Sequence, residues 1–508
     1  MGPELPAKAG PKQPAKIRFR HPLARSAAYW SAPTRDRQEA HQALAEVTDQ
    51  RLDPDRRAWH QAQAVPGPDD GVAAELERSA GRARARGGLS AAAAFLKHAA
   101  TLTLEPTQRA ERALAAAQAE IQAGAFDEAR DLLALAESGP LSDLQQANVD
   151  VLRAQLAAAT CRGGDAPALL VKAARKLEFA DPGLSRATYL EAFAAAISAG
   201  RLAGPGSGVL EVAQAAAAAP PANAPRAPDL ILDGLAAPFT EGYAAGVRTL
   251  RKALAAFGDG MSAEEELRWL WLATAFAATR TWDYERLDAL SARHVQLARA
   301  TGALGELPLA LTTRAYALLF VGELSAAAAL NDEIQAVQEA TGTGLSPYGA
   351  FGLAALRGDE ARTRALIEVT MRDAAQRGEG QGITFAEWAN AVLANGLGRY
   401  GDAVAAAQRA CDFGDDPGSL IWVMPELAEA ASRTGMTGAA AWACDRLEEL
   451  TSAAGSDWGL GVRARSRALV SEGEDAEGLY REAITRLGKT RLRVDLARAH
   501  LLYGEWLR

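Results

Sequence analysis

Gly124-Ala125-Phe126-Asp127-Glu128-Ala129 and Gly398-Arg399-Tyr400-Gly401-Asp402-Ala403 carry one pattern twice: a glycine, any residue, an aromatic, two further residues and an alanine. Each stretch follows one Ala- and Leu-rich run and precedes another. Glycine ends a helix in the left-handed backbone conformation that costs other residues energy. The aromatic then plugs the space between that helix and the next, and Ala129 or Ala403 lets the second helix approach closely. The pattern reads as the tight turn of a helical hairpin.

Glycines ahead of Ala-rich runs recur at 88, 124, 163, 200, 242, 322, 358, 398, 435 and 473. Their intervals are 36, 39, 37, 42, 80, 36, 40, 37 and 38 residues. The long interval is two periods of 40, and its midpoint falls at Trp282, where Thr281-Trp282-Asp283-Tyr284 takes the place of the glycine turn. That makes eleven turns. Gly322-Glu323-Leu324-Ser325-Ala326-Ala327 and Gly435-Met436-Thr437-Gly438-Ala439-Ala440 keep the glycine but replace the aromatic, so the repeats are degenerate. A period of about 34 to 45 residues in an all-helical context means stacked helix-turn-helix units, because one amphipathic pair cannot bury its apolar face alone. The turn matches that of the tetratricopeptide repeat. The expected fold class is all-α, a tetratricopeptide-like α-solenoid forming a right-handed superhelix of helical hairpins.

The bulk properties agree with this and exclude other classes. With 508 residues the chain exceeds what one hydrophobic core serves, and 49% hydrophobic against 23% charged residues excludes disorder for most of it. A net charge of −8 lacks the electropositive field that direct nucleic-acid binding needs. Cys161, Cys411 and Cys444 are too few and too scattered for a disulfide framework and fit a reducing cytoplasm. No apolar run is long enough to span a membrane, and no membrane partner is expected.

The helices preceding the turns show apolar residues at three- and four-residue spacing, as in Leu267, Leu270, Trp271, Thr274 and Ala278, or Leu309, Thr313, Tyr316, Ala317 and Phe320. The expected organisation is a disordered tail at 1–16, an introductory segment at 17–60, N-terminal helical repeats at 61–203, an irregular Gly/Pro-rich joint at 204–228 around an Ala-rich helix, and C-terminal repeats at 229–508. Within the introductory segment, Leu23 to Trp30 and Arg35 to Val47 read as helices separated by Pro33 and Thr34, with Thr34 placed to cap the second.

The run Ile17-Arg18-Phe19-Arg20-His21-Pro22-Leu23-Ala24-Arg25-Ser26-Ala27-Ala28-Tyr29 resembles the end of the winged helix in large ATP-binding regulators of the LuxR family, typical of actinobacteria. Leu52 to His60, Ala187 to Glu191, Thr240 to Gly246, Leu290 to Leu297 and Ala497 to Leu507 are similar to the helical arm of the same family. In such regulators an N-terminal ATPase and a C-terminal DNA-binding helix-turn-helix flank a tetratricopeptide-like sensor arm. The resemblance starts inside the winged helix and stops before the DNA-binding domain, so it implies the arm alone, as an excised piece or a truncated frame. No cofactor is then expected in this chain, ATP belonging to the absent N-terminal domain and DNA contact to the absent C-terminal one. The implied partners are an effector small molecule or protein, with self-association as a further option. The alternative is a free-standing tetratricopeptide-type scaffold that binds a partner protein.

Motifs that hint at chemistry have plainer readings. Ala483 to Thr490, ending Gly488-Lys489-Thr490, fits a relaxed phosphate-loop pattern, but that loop needs a strand before it and Ala476 to Leu487 reads as helix. Histidines 21, 41, 60, 98, 294 and 500 never reach metal-ligand spacing, and His60 and His98 read as packing or capping residues. Cys411 and Cys444 occupy comparable places in successive units, where a small buried residue is wanted. Glu264-Glu265-Glu266 and Glu448-Glu449 point in different directions from a helix and read as solvated faces, and Arg82, Arg84 and Arg86, like Arg463, Arg465 and Arg467, scatter around one instead of forming a stripe.

The aromatic distribution is the informative oddity. Seven of the ten tryptophans lie between Trp269 and Trp458, so the aromatics concentrate in the C-terminal half. Most are expected in the hairpin core. Trp282, Tyr284, Trp388 and Trp458, near turns, are the candidates for lining a concave ligand groove.

Overall fold

The computed structural model describes residues 22–160, 164–342, 344–412 and 417–508. The tail 1–16, the alternating stretch at Ile17 to Arg20 and the turn at Gly163 fall outside them. Among the described residues there are twenty-six α-helices and no strand. Helices Pro22–Ser31, Thr34–Val47 and Pro54–Ala64 lead in; eleven hairpins follow, from Asp70–Ala85 with Leu89–Leu102 to Asp457–Ala468 with Gly473–Leu487; helix Arg493–Trp506 ends the array. The chain is a tetratricopeptide-like α-solenoid. No helix among the described residues is long and apolar enough to cross a membrane.

The turn pattern does what its residues dictate. Gly124 has φ +83°, its N–H bonds Ile121 O at 3.1 Å, and the next N–H, of Ala125, reaches back to Glu120 O at 2.9 Å. This pair of bonds satisfies carbonyls that the end of a helix leaves open. Gly322, Gly358, Gly398 and Gly435 repeat it, all with positive φ. Ala129, Ala327, Ala403 and Ala440, five residues after their glycines, are each completely buried where the second helix meets its neighbours.

Trp282 is the one non-glycine residue with positive φ, +51°, among the described residues. It makes the same bond pair as its glycine counterparts, Trp282 N to Thr279 O and Asp283 N to Ala278 O, both 2.9 Å. The conformation costs a side-chain-bearing residue about 1–2 kcal/mol. Burial of the indole offsets that cost: its ring lies 5.0 Å from that of Trp458, and Nε1 donates to Leu450 O at 3.2 Å, joining residues 168 apart.

Two local expectations change. The left-handed residue of the first turn is Gly87 (φ +77°), not Gly88, which has φ −94° and leads into the next helix. Thr34 does not cap: it is the first helical residue, Pro33 holds the cap position without a side-chain bond, and the Thr34 hydroxyl accepts from Arg37. The segment 204–228 holds the Ala-rich helix Val209–Ala218, whose Val212, Ala213 and Ala216 join the same apolar seam as the helices on either side.

The superhelix closes on itself. Arg201 Nη2 donates to Arg409 O at 2.6 Å across 208 residues, Arg491 Nη1 meets Asp288 Oδ2 at 2.8 Å across 203, and Arg251 bonds Ala454 O across 203. One superhelical turn therefore takes about 200 residues, roughly five hairpins. Glycines sit where successive coils touch: a Cβ on Gly87 would stand 2.6 Å from Ala300 O, and one on Gly200 2.9 Å from Gln381 N. The backbones approach more closely there than any side chain allows.

One buried polar side chain opposes this packing. His294, in helix Tyr284–Thr301, is fully buried, neither ring nitrogen has a hydrogen-bond partner, and burial pushes its imidazole down to about 3. The unfolded chain binds a proton there near pH 6.5 and the folded chain does not, so this contribution to stability is complete above the unfolded value and is lost as pH falls toward the folded one. Between about pH 7.5 and about pH 5.5 the loss is about 1.4 kcal/mol. His294→Leu is expected to remove that slope and to raise stability at both pH values, because two unpaired polar atoms leave the core. Urea titrations of the two proteins at each pH check this, and equal pH slopes would contradict it.

Candidate ligand channel

Inside the closed coils lies a cavity of about 310 Å3. Its walls come from both coils: Ile121, Gln122 and Phe126 of the second hairpin, Gln155 and Leu170 of the third, Glu191 of the fourth, and then Leu267, Arg268 and Trp271 of the sixth with Leu309 of the seventh. An adjoining recess of about 80 Å3 shares Trp271, Leu309 and Leu345 with it. Rings dominate that recess, notably Phe276, Tyr316, Phe320, Tyr348, Phe385 and Trp422.

The recess depends on a local departure from α geometry. Residues Ala273–Ala278 form a π-helical segment. Bonding five residues apart brings residues five apart onto one face, so Trp271 and Phe276 meet edge to face at 5.1 Å and both line the recess. The threonine hydroxyls take up backbone carbonyls here: Thr274 Oγ1 donates to Leu270 O at 2.7 Å, Thr279 Oγ1 to Ala275 O at 2.7 Å and Thr281 Oγ1 to Ala277 O at 2.9 Å. The regular α spacing expected through Ala278 is thus interrupted, and Thr274, Thr279 and Thr281 in an apolar helix are the signal that marks it. Opposite, Phe320 stacks on Trp422 at 4.9 Å and 10°, and Tyr316 lies 6.0 Å from Phe385.

The polar groups gather in the larger chamber. Arg268 lies over the Trp269 ring at 4.8 Å and ion-pairs with Glu191. Burial works against the charge of Arg268, but Glu191, with Glu264 and Glu306 beyond it, holds the guanidinium above its usual range. Gln155 Nε2 donates to Glu191 Oε2 at 2.6 Å, and Gln122 Nε2 lies 3.5 Å from Glu264 Oε1. The chamber combines apolar walls with a few convergent polar groups, the makeup of small-ligand sites.

Trp282, Tyr284, Trp388 and Trp458 are brought together, but off these walls. All four are buried; Trp458 lies 5.0 Å from Trp282 and 6.4 Å from Tyr284, and Trp422 links it to Trp388 at 6.4 and 6.2 Å. None of the four lines the chamber or the recess. Trp282 and Tyr284 sit at a turn, where the side chain plugs the hairpin, and the Tyr284 hydroxyl donates to Ala317 O of the next hairpin at 3.0 Å. Trp458, at the start of helix Asp457–Ala468, donates Nε1 to Asp495 Oδ2 at 3.1 Å. Trp388 is not near a turn but in the middle of helix Gly380–Gly396, packed behind Tyr316, Phe385 and Trp422. Their neighbours Trp271, Tyr316, Phe320, Phe385 and Trp422, in the bodies of first helices, face the space instead.

The other chemistry-bearing residues are occupied structurally. Cys444 is buried and Cys411 half-buried, and burial pushes their thiols up to about 11 and about 12, far from thiolate formation. His41 and His60 pair through Nδ1 at 2.9 Å, and no group of three metal-binding side chains occurs among the described residues. Gly488, Lys489 and Thr490 join two helices with no strand before them. Arg463, Arg465 and Arg467 pair separately with Glu448, Asp495 and Asp445. Of the expected solvated acids, Glu266 binds Arg293, Glu265 binds Arg226 and Glu264 borders the chamber.

No known family profile matches the chain, and no curated protein matches it in sequence. Its likenesses are to solved helical structures. They include a Rap protein complexed with competence and sporulation factor (TM-score 0.46, 12% identity, 77% of this chain and 99% of that one). The Cut9–Hcn1 hetero-tetramer of the APC/C is another (TM-score 0.24, 12% identity, 84% of this chain and 96% of that one). A circular tandem repeat protein with novel repeat topology is a third (TM-score 0.13, 14% identity, 93% and 95%). The architecture rests on the helices and turns described above.

Proposed function

We propose that this chain is the effector-sensing and protein-interaction arm of a LuxR-family transcriptional regulator, acting in the cytoplasm by recognition and without chemistry of its own. The observation that carries the reading is the two-part cavity walled by successive coils of one superhelix. A ligand that fills it touches both coils, so it stabilises the closed superhelix over an opened one, and that difference is what a sensor transmits to other domains. Stretches similar to the family's arm, from Leu52 to Leu507, support the regulator assignment. The free thiols suit a reducing compartment.

Tryptophan fluorescence of the chain during a screen of small molecules and peptides tests the reading, since Trp271 and Trp422 stand at the recess. A compound that shifts the emission of the wild-type chain is expected to lose about tenfold or more in affinity against Phe385→Ala, as expected when an aromatic ring lining a binding pocket is removed. Silence across a broad panel, or binding indifferent to Phe385, would count against the channel.

A further inference from the structure

We infer that the channel is built for an uncharged, largely apolar molecule whose narrow end is a single ring or a branched alkyl group. This rests on the reading of the channel as a ligand site and names the class of ligand. The recess sets the narrow end. Rings dominate its walls, and a space of about 80 Å3 admits one further ring or a branched alkyl group packed on their faces and edges. The hydroxyls among those walls are already engaged. Tyr316 donates to Tyr348 O at 2.8 Å, Tyr348 to Glu379 Oε1 at 2.6 Å, and Thr279 and Thr313 to carbonyls of their own helices at 2.7 and 3.1 Å. Thr312 and Gln381, which also line the recess, are neutral. A charge brought here would leave water and meet no countercharge, the arrangement that burial penalises most.

The larger chamber selects neither sign of charge. Arg268 is paired with Glu191, which also accepts from Gln155, and Glu306 has its own partner. That leaves half-buried Arg84 and exposed Glu264, one charge of each sign, and Gln122 turns its amide nitrogen toward Glu264. The carbonyl oxygens of Gln122 and Gln155 are buried away from the space and offer a ligand nothing. What remains to meet a ligand is hydrocarbon, from Ile121, Phe126, Leu170, Leu267, Trp271 and Leu309. Affinity then comes from apolar surface removed from water, about fourfold for each buried methylene. The two spaces adjoin at Trp271, Leu309 and Leu345 and together, at about 310 and about 80 Å3, hold a compact molecule at the lower end of the small-ligand range.

Calorimetric titration of the whole chain with 4-phenylbutan-1-ol, 4-phenylbutylamine and 4-phenylbutyrate, which share ring and chain and differ in the charge of the head group, tests the inference. The alcohol is expected to bind about tenfold more tightly than either ion. From 2-phenylethanol through 3-phenylpropan-1-ol to 4-phenylbutan-1-ol, affinity should rise about fourfold per methylene, with a negative heat-capacity change of binding. Thr312 is half-buried and valine matches its shape, so Thr312→Val should fold normally; it is expected to leave alcohol binding within about twofold of wild type, while Phe385→Ala weakens every probe that binds. Amine or carboxylate binding as tightly as the alcohol, a flat chain-length series, or a tenfold loss in Thr312→Val overturns the uncharged apolar class and leaves the channel reading in place. No binding of any probe up to about millimolar concentration, or binding indifferent to Phe385→Ala, overturns both the class and the channel reading.

Discussion

Gly380→Val is expected to open the superhelix. Gly380 begins the first helix of the ninth hairpin and faces the fourth, one coil away. A Cβ there would lie inside the van der Waals shell of Ala199 O, and 2.7 and 2.8 Å from the backbone nitrogens of Arg201 and Leu202. Those neighbours are backbone atoms of a packed helix end, so no rotamer change relieves the clash, and the coils must separate. Overpacking of this kind costs about 1–3 kcal/mol even where side chains can give way. Separation also removes the neighbouring bond from Arg201 to Arg409 O and widens the cavity walled by both coils. Small-angle scattering should show a larger radius of gyration with helix content unchanged by circular dichroism. Gly396→Ala is the control: nothing lies within 4 Å of a Cβ there, so that variant should scatter like the wild type.

Glu379→Ala is expected to destabilise the chain by about 3–5 kcal/mol, the cost of removing one partner from a buried ion pair. The Glu379 carboxylate is completely buried. It accepts from Ser346 N at 3.3 and 3.2 Å, Ser346 Oγ at 3.0 Å, Tyr348 OH at 2.6 Å and Arg377 Nη2 at 3.0 Å. Removing it strands the largely buried Arg377 guanidinium and a backbone N–H together. The same carboxylate anchors the Tyr348 ring, which borders the recess, so a ligand of the channel should bind more weakly to this variant as well. Chemical denaturation measures the first effect and titration the second; a loss below about 1 kcal/mol would mean that water replaces the carboxylate.

The hairpin array was legible because each turn depends on a residue type that the local backbone requires. A left-handed helix end wants glycine, and the period of those glycines places the turns, including the one at Trp282 that lacks it. At Gly87-Gly88 either glycine can take the left-handed position, and the structure uses the first. The channel was less legible for a different reason. Its walls meet because small rotations between hairpins accumulate over about five units, and no local stretch encodes that sum. Gly87, Gly200 and Gly380 mark where the coils touch, yet in sequence they are indistinguishable from glycines that only end helices. Aromatic enrichment pointed to the half of the chain that walls the recess, but not to the N-terminal hairpins that share the larger chamber. It could not separate Trp282 and Tyr284, which plug a turn, from Trp271 and Phe385, which face the space. The π-helical segment that turns Trp271 and Phe276 to one face left only three threonines as a trace.

Successive coils of this superhelix touch, and the cavity lies between them. The most direct test is the distance between spin labels at Lys252 and Ser452, two exposed positions beside the bond from Arg251 to Ala454 O, in a chain whose Cys161, Cys411 and Cys444 are replaced. Contact between the coils predicts a single narrow distribution at the short end of the measurable range, unchanged or sharpened by a channel ligand. A broad distribution reaching to long distances would contradict it.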